Sequence, residues 1–403
     1  MQRPGLARGA AASSSTAVLT VALIVLTALA LRPPFTAVAP LLPEIQRDLG
    51  VSTTFGGVLT TLPVVCLGVF AFAAPRLRQR FGEERVLAGA MALLAGGHLL
   101  RALGAEWSLL GGTVVVGSGV AVANVIVPGL IKRDFPDRVA SVTALYTALL
   151  TLGGAVAASV VVPIGNAFGA GWRLPLGLLA VPVLLACLLA VFSTRGRPGA
   201  AEAVTSPRRL WRHPLAWQIT VFMGLQSGLA YVVFGWLPTM LQSRGVPPET
   251  AGVALGVQAA VQAVGASSVG LLLRWLRDQR VVTTVLGVLI AGGFTGVLLG
   301  PGPVSIWTAT VVLGCAQGAA FNLAVTLFGL RAPDSATTAA LSGMAQGGGY
   351  LIAGACPLLI GVIFDLAGSW VVPLCVVLAV CASWMAMGML VGRPRQVPSV
   401  ISS

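Results

Sequence analysis

Charged residues are scarce in this chain: they make up 9% of its 403 residues, whereas 56% are hydrophobic. A soluble domain has roughly 25% charged residues, so the composition excludes an ordinary water-soluble enzyme or binding protein. Apolar runs of about 20 residues, the length that crosses a bilayer as a helix, recur along the whole chain. The sequence therefore predicts an all-α, polytopic membrane protein that is embedded in the lipid bilayer.

Metal-binding and catalytic patterns are also missing. The two histidines do not cluster, and the six cysteines lie in apolar runs without the spacing of metal ligands. The apolar segments contain no paired acids and no nucleophile–base pattern, which argues against a membrane-embedded enzyme. The sequence also predicts no soluble domain through which a membrane sensor could signal. We therefore expect no metal, no cofactor and no enzymatic activity. The net charge of +13 indicates membrane topology rather than nucleic-acid binding.

The apolar runs predict twelve transmembrane helices. Their predicted bounds are 17–42, 52–74, 86–104, 108–131, 139–165, 172–192, 215–241, 249–273, 281–299, 305–330, 337–366 and 371–391. A basic linker at 193–214 separates a six-helix bundle at 1–192 from a second six-helix bundle and short tail at 215–403. Most of the 25 Lys and Arg residues fall at the termini and in the loops on one side. This asymmetry places both termini in the cytoplasm of a protein of the cell (inner) membrane.

The two halves carry weak internal matches. Leu42–Val51 aligns with Leu237–Val246 through shared Leu-Pro and Gly-Val pairs, and Pro136–Asp137 aligns with Pro333–Asp334. The offset between the copies is nearly the same in both cases, and the matches fall in corresponding loops. We therefore expect two pseudo-symmetric halves with the same topology.

Several short motifs together resemble the cyanate/nitroimidazole branch of the major facilitator superfamily. They are Leu31-Arg32-Pro33, Leu41–Ile45, Leu59–Pro63, Ala74–Leu77, Leu99–Leu103 and Ile131–Arg138. The resemblance covers the whole chain, is densest in the first half, and implies transport of a small molecule by alternating access between two halves. Members of this branch are linked with cyanate uptake and with nitroimidazole export, so the resemblance fixes neither substrate nor direction.

Arg32 is the first candidate for substrate binding. It lies within the first apolar run, is the one arginine that falls neither in a loop nor near the end of a predicted span, and is followed at once by Pro33 and Pro34. A charge inside a bilayer is costly and is usually retained for function, and prolines kink a membrane helix where neighbours satisfy the freed backbone groups. We expect a kinked first helix that directs this guanidinium into a central cavity, with Thr36 one turn further on the same face.

Other polar side chains in the spans complete the predicted substrate site. They are Asn124, Tyr146, Gln226, Tyr231, Gln258, Gln262, Gln317, Asn322 and Gln346. Amides inside a bilayer need hydrogen-bond partners. Each of them therefore has an alternative interpretation as a hydrogen-bonding group between helices.

Two loops are candidates for gating. The loop that contains Arg80 and Gly82 resembles the superfamily pattern Gly-x-x-x-Asp-Arg-x-Gly-Arg, but Gln79 replaces its acid, and the loop after the fourth span packs both charge signs together. The gating candidates are Arg80, Gly82, Lys132, Arg133, Asp134, Asp137, Arg138, Arg331 and Asp334. Charge pairs there could bias the inward- and outward-facing states, or they could be solvated turns, since surface pairs contribute only ~0–1 kcal/mol.

Acidic residues are absent from the middle of every predicted span. Proton-coupled transporters commonly place a carboxylate there, and pumps for cationic drugs need a negative cavity, so a multidrug cation pump is disfavoured. His98 is the one candidate for a proton carrier within a span, with helix packing as its alternative.

The first hypothesis is a monomeric secondary transporter for a small anion or polar molecule bound by Arg32. The alternative is an efflux transporter for neutral aromatic compounds such as azoles.

Overall fold

The protein is a helical bundle in a computed structural model that describes residues 19–70, 73–193, 207–275 and 278–399. The helices are α1 (19–31), α2 (Pro33–Thr36), α3 (Val38–Leu49), α4 (Thr53–Phe70), α5 (Ala74–Phe81), α6 (Glu83–Ala102), α7 (Glu106–Asp134), α8 (Val139–Phe168), α9 (Arg173–Leu178), α10 (Ala180–Ser193), α11 (Pro214–Gln242), α12 (Pro248–Trp275), α13 (Gln279–Leu299), α14 (Pro303–Arg331), α15 (Ser335–Ala367) and α16 (Val371–Val391). Within the described residues there is no strand.

Eleven of the described segments are long and apolar enough to cross a membrane. The remaining predicted span is α6, which is 20 residues long but contains the polar side chains of His98 and Arg101. The first span consists of α1 to α3, and the sixth consists of α9 and α10. The predicted all-α architecture with twelve spans is confirmed. The predicted bounds of the basic linker stay a prediction, since residues 194–206 lie outside the described part of the chain.

The first span breaks at the predicted place. Pro33 and Pro34 lack the N–H groups that would continue α1, and their rings clash with the preceding turn. The Phe35 N–H donates to the Arg32 carbonyl at 3.1 Å, and the Ala37 N–H donates to the Pro33 carbonyl at 2.9 Å. The break therefore leaves Arg32 between two helical pieces, where its side chain can leave the path of α1.

The segment between the second and third spans differs from the predicted loop. Residues Ala74–Phe81 form the helix α5, with Pro75 in its first turn, where the missing N–H costs nothing. Gly82 ends the helix with a φ of 84°, a backbone conformation that favours glycine. Gly82 therefore has a local role: it turns the chain from α5 into α6.

The two halves repeat the same packing. In the first half α6 packs against α7 and α10, and α4 packs against α7; in the second half α13 packs against α14 and α16, and α12 packs against α14. The halves meet where α4 lies along α15 and where α8 lies along α12. The second span therefore meets the eleventh, and the fifth span meets the eighth, as the pseudo-symmetry requires.

Apart from the contact of Arg32 with Gln262, the polar contacts between the halves in the described residues lie on the side where α3 ends and α4 begins, which we call the closed side. The carboxylate of Asp365 on α15 accepts from the N–H of Thr54 on α4 at 2.6 Å. Asn166 on α8 donates to Glu249 on α12 at 2.7 Å. At the opposite ends of the spans, the polar contacts described below for the gating candidates join residues of one half. In the described part of the chain, the polar bonds between halves are thus concentrated toward one side.

Candidate functional site

Arg32 projects from the first half onto the second. Its guanidinium carbon lies 4.6 Å from the centre of the Phe234 ring on α11, a distance at which a cation is attracted to the ring face. Its Nη2 atom lies 3.5 Å from the Oε1 atom of Gln262 on α12. The residue is half-buried, and among the described residues no acid forms an ion pair with it. The charge therefore has aromatic and amide neighbours and keeps some contact with solvent.

Close packing of α8 against the first span positions this arginine. A Cβ atom at Gly154 would lie 2.5 Å from the Cγ atom of Arg32, which is too close for any side chain. The hydroxyl of Thr36 donates to the Gly154 carbonyl at 2.8 Å, and Thr36 is fully buried. Thr36 thus holds α2 on α8, and Gly154 leaves the room that the Arg32 side chain occupies.

Aromatic rings surround the arginine. The Tyr231 ring centre lies 5.7 Å from that of Phe35, 6.0 Å from that of Phe234 and 6.3 Å from that of Tyr350. Tyr146 completes the set of three tyrosines in the chain, and each tyrosine lies close enough to Arg32 to interact with its charge. Tyr350 and Phe234 were not among the sequence candidates. Phe234 lies three residues after Tyr231, a helical spacing that could have identified it.

Three predicted glutamines form a chain of hydrogen bonds behind Arg32. The Gln262 amide donates to Gln258 at 3.3 Å, the Gln258 amide donates to Gln317 at 2.8 Å, and the Gln317 amide donates to the Leu229 carbonyl at 3.0 Å. Gln258 is 0% and Gln317 is 2% exposed, whereas Gln262 is half-buried. Gln258 and Gln317 therefore bond between α12, α14 and α11, and Gln262 is the member that contacts Arg32.

The remaining polar candidates have partners of their own. Tyr146 donates to the Asn124 side chain at 3.2 Å, across α8 and α7. Asn322 donates to the Ala266 carbonyl at 2.6 Å. The other two bond to a serine on their own helix: Gln346 donates to Ser342 at 2.8 Å, and Gln226 accepts from Ser227 at 3.1 Å. Tyr146 and Asn124 thus extend the group around Arg32, whereas the bond of Asn322 joins α14 to α12.

The gating candidates of the first half gather around Arg133. This guanidinium lies 3.0 Å from Glu83, 2.7 Å from Glu84 and 2.7 Å from Asp134. Hydrogen bonds to Asp134 and Glu84 outweigh the effect of burial and raise the pKa of Arg133 above its ordinary value. The glutamates at the start of α6 thus fasten α6 to the end of α7.

The other first-half candidates are less engaged. Arg80 packs on the ring of its neighbour Phe81 at 5.2 Å, and Asp137 and Arg138 are exposed. The side chain of Lys132 lies outside the described part of the structure. Roles for these residues in gating stay predictions.

The second-half candidates bind the end of the chain. Arg331 donates from Nε to the Val391 carbonyl at 2.9 Å and from Nη2 to Gln279 at 3.0 Å. Asp334 caps α15 by accepting from the N–H of Thr337 at 2.7 Å. It also accepts from the Ser399 hydroxyl at 2.7 Å. These bonds join the turn between α14 and α15 to the C-terminal tail.

Arg101 shows that Arg32 is not the one buried arginine. Arg101 is 0% exposed in α6, and its Nε atom donates to the Thr113 hydroxyl at 2.9 Å. His98, one turn earlier, is also 0% exposed. Both lie at the packed contact of α6 with its neighbours, so they are shielded from solvent, whereas Arg32 is not.

Comparison with known proteins gives consistent matches along the chain. Residues 18–354 match the model of a family described as the Major Facilitator Superfamily. The chain is 36% identical to the 2-nitroimidazole transporter of Escherichia coli (strain K12), over 96% of this chain and 98% of that protein. It is 31% identical to the cyanate transport protein CynX of the same organism, over 86% of this chain and 90% of that protein. The structure of a bacterial homologue of the human lysosomal transporter Spinster, inward-facing and unoccupied, superposes with a TM-score of 0.77 at 16% identity, over 96% of this chain and 99% of that one.

Proposed function

The chain belongs to the Major Facilitator Superfamily and is a multi-pass membrane transporter of small molecules, and from this premise we propose that it carries a small anion or polar solute that binds at Arg32. Binding and release occur by alternating access, in which the two halves rock around a site near the middle of the membrane. Arg32 belongs to the first half, and its neighbours Phe234 and Gln262 belong to the second half. A solute held between them is therefore in contact with both moving parts.

The observation that supports this proposal is the half-exposed guanidinium of Arg32, which has no acidic partner among the described residues. A buried arginine that served only to pack helices would be shielded from solvent, as Arg101 is. A guanidinium offers a planar fork of donors that fits carboxylate-like and nitro-like groups. An arriving solute with such a group supplies further acceptors beside the Gln262 oxygen, which lies 3.5 Å from the Arg32 Nη2 atom.

A neutral aromatic solute is the second candidate, and the ring cluster favours it. Phe35, Tyr231, Phe234 and Tyr350 provide faces against which a flat ring can stack, at the ring spacings typical of aromatic pairs. The relative named as a 2-nitroimidazole transporter supports this candidate, and the relative named as a cyanate transport protein supports the anion. Both solutes are small and flat, and both carry an acceptor group for Arg32.

The direction of transport depends on the orientation of the bundle. The distribution of Lys and Arg favours a cytoplasmic N-terminus, and in that orientation the closed side faces outward. Uptake of an anion against an inside-negative potential costs ~2.3 kcal/mol per 100 mV. Import of an anion therefore needs a coupled ion or consumption of the solute inside, and uncoupled transport favours efflux. The ion pairs of Arg133 and the bonds of Arg331 then lie on the cytoplasmic side, where we propose that they gate the inner opening.

A thermal-shift screen of the purified protein tests the proposal. Cyanate, benzoate, 2-nitroimidazole and imidazole are added to the wild type, to Arg32→Gln and to Arg244→Gln. Arg244 is the control because its guanidinium bonds to the Val297 and Gly300 carbonyls, within the second half. A ligand at a hundredfold excess over its Kd stabilises the folded state by ~2.7 kcal/mol. A ligand that stabilises the wild type and Arg244→Gln but not Arg32→Gln supports the site, and one that stabilises all three equally argues against it.

A further inference from the structure

We infer that the site at Arg32 selects a flat solute that carries an N–H or O–H donor beside its anionic or acceptor group. The inference rests on the proposed function, and it adds the substrate class. Arg32 supplies donors from the first half, and the Oε1 atom of Gln262 supplies an acceptor from the second half, 3.5 Å from the Arg32 Nη2 atom. The solute that matches both halves must present the complementary pair, an acceptor and a donor side by side.

The direction of the glutamine chain fixes this polarity. A side-chain amide can present either its oxygen or its NH₂ group, and the two are interchangeable in shape. Here one end of the chain is the Arg32 guanidinium, which only donates, and the other end is the Leu229 carbonyl, which only accepts. Three amides in series between such ends must all point the same way. Gln262 therefore presents its oxygen toward the site because of its partners.

Burial locks Gln258 and Gln317 in this arrangement. Both are almost fully shielded from solvent, so neither can exchange its partner for water. Reversing one amide would bring two oxygens or two NH₂ groups together at contacts of 2.8 Å and 3.3 Å, and a buried polar group without a partner is strongly unfavourable. Gln258 and Gln317 are thus positioning residues, which act on the solute through Gln262.

Gln262 has capacity left for a ligand. Its contact with Arg32 is longer than the roughly 2.9 Å of a well-formed N–H to oxygen bond, and a carbonyl oxygen can accept two hydrogen bonds. The side chain is half-buried, so the oxygen is within reach of a bound solute. The ring of Phe234 beside Arg32 favours a planar partner. A solute without a donor, such as the cyanate ion, satisfies Arg32 but leaves the Gln262 oxygen unused.

Two pairs of isosteric probes test the donor requirement by calorimetric titration of the full-length protein. Pyrrole-2-carboxylate carries an N–H beside its carboxylate, and furan-2-carboxylate has a ring oxygen in the same place. The uncharged pair 2-nitropyrrole and 2-nitrofuran makes the same comparison with a nitro group. In the wild type the N–H member of at least one pair should bind about tenfold more tightly, the factor expected for one hydrogen bond of ~1.4 kcal/mol.

Variants separate the donor requirement from the site itself. Gln262→Met keeps the volume but removes the acceptor, and it should bring the Kd ratio of the pair close to one. Gln317→Met removes the anchor to the Leu229 carbonyl and frees the amides to turn, so it should lower the ratio without a direct contact to the probe. A loss of folding in either variant is checked by its melting temperature. Gln46→Met serves as a control whose ratio should match the wild type, because the Gln46 amide donates to the Ser52 carbonyl at the closed side.

The outcomes distinguish the two levels of the proposal. Equal binding of N–H and oxygen probes in the wild type, or no binding of either pair, overturns the donor requirement. A ratio that stays near ten in Gln262→Met also overturns it. If Arg32→Gln binds the probes as tightly as the wild type, the proposed function itself fails, whatever the ratio. If Arg32→Gln abolishes binding while the wild type binds both members of each pair equally, the site at Arg32 stands and only the donor requirement is wrong.

Discussion

Removing the carboxylate of Asp365 should open the closed side of the bundle. This side chain on α15 accepts from the N–H groups of Thr53 and Thr54 at 3.2 and 2.6 Å and from the Thr54 hydroxyl at 2.5 Å. The two N–H groups begin α4 and have no partner within that helix. Asp365 of the second half therefore acts as an N-cap for a helix of the first half. The bonds must break whenever the halves separate on this side.

The size of the effect follows from the capping bonds. Loss of an N-cap side chain costs about 0.5–2 kcal/mol, and here the cost falls on the state in which the halves touch. The ratio of open to closed populations in Asp365→Ala should therefore rise by about 2–30-fold, since ~1.4 kcal/mol corresponds to tenfold. Asp365→Asn keeps one acceptor oxygen and should lie between alanine and the wild type.

Pulsed EPR distances measure this ratio directly. Spin labels at Phe168→Cys and Leu366→Cys report on opposite halves at the closed side, where the native residues are 72% and 83% exposed; the six native cysteines are replaced by alanine. The matched control is Asp48→Ala, because Asp48 bonds to Arg173 at 2.7 Å within the first half. The reasoning is refuted if Asp365→Ala leaves the distance distribution of the wild type unchanged, or if Asp48→Ala shifts it equally.

Three further substitutions follow from packing and charge. Gly154→Ala should displace the Arg32 side chain, because its Cγ atom would lie 2.5 Å from the new Cβ atom. Ligand binding should weaken by about tenfold, and a titration that gives an unchanged Kd would contradict this. Arg133→Gln removes the ion pair with Glu83 at 3.0 Å and should lower the free energy of unfolding by ~1–2 kcal/mol. The loss should appear as a lower melting temperature, and an unchanged melting temperature would show that the pair contributes nothing. Val397 is 2% exposed, so Val397→Ala should cost ~1 kcal/mol in the same assay, and no loss would indicate that the tail is not docked in solution.

The fold was predictable because the bilayer permits few solutions. Long apolar runs must become helices, since backbone groups have no other partners in lipid, and the break after Arg32 follows from two consecutive prolines. The helix α5 was not foreseen, because its basic residues resemble a loop in composition. The signals for this helix are Pro75 in its first turn and Gly82 at its end, and they become visible only once the segment is considered as a helix.

The site was predictable where a single residue carried the signal. An arginine in an apolar segment is conspicuous, and Gln258 and Gln262 lie four residues apart on one helix, as their hydrogen bond shows. Thr36 was expected beside Arg32 on one helical face, and both side chains lie against Gly154 on α8, whose carbonyl accepts from the Thr36 hydroxyl. Tyr350 reaches Tyr231 from α15, a contact between distant segments that no spacing in the sequence encodes.

The most direct test of the central claim is transport into proteoliposomes. Labelled cyanate, pyrrole-2-carboxylate and 2-nitroimidazole are offered to vesicles that contain the wild type, Arg32→Gln or Arg244→Gln, with protein-free vesicles as the background. We predict that at least one solute accumulates faster in wild-type and Arg244→Gln vesicles, and that its rate falls to the background in Arg32→Gln vesicles. Transport by Arg32→Gln at the wild-type rate would contradict the assignment of Arg32 as the group that binds the transported solute.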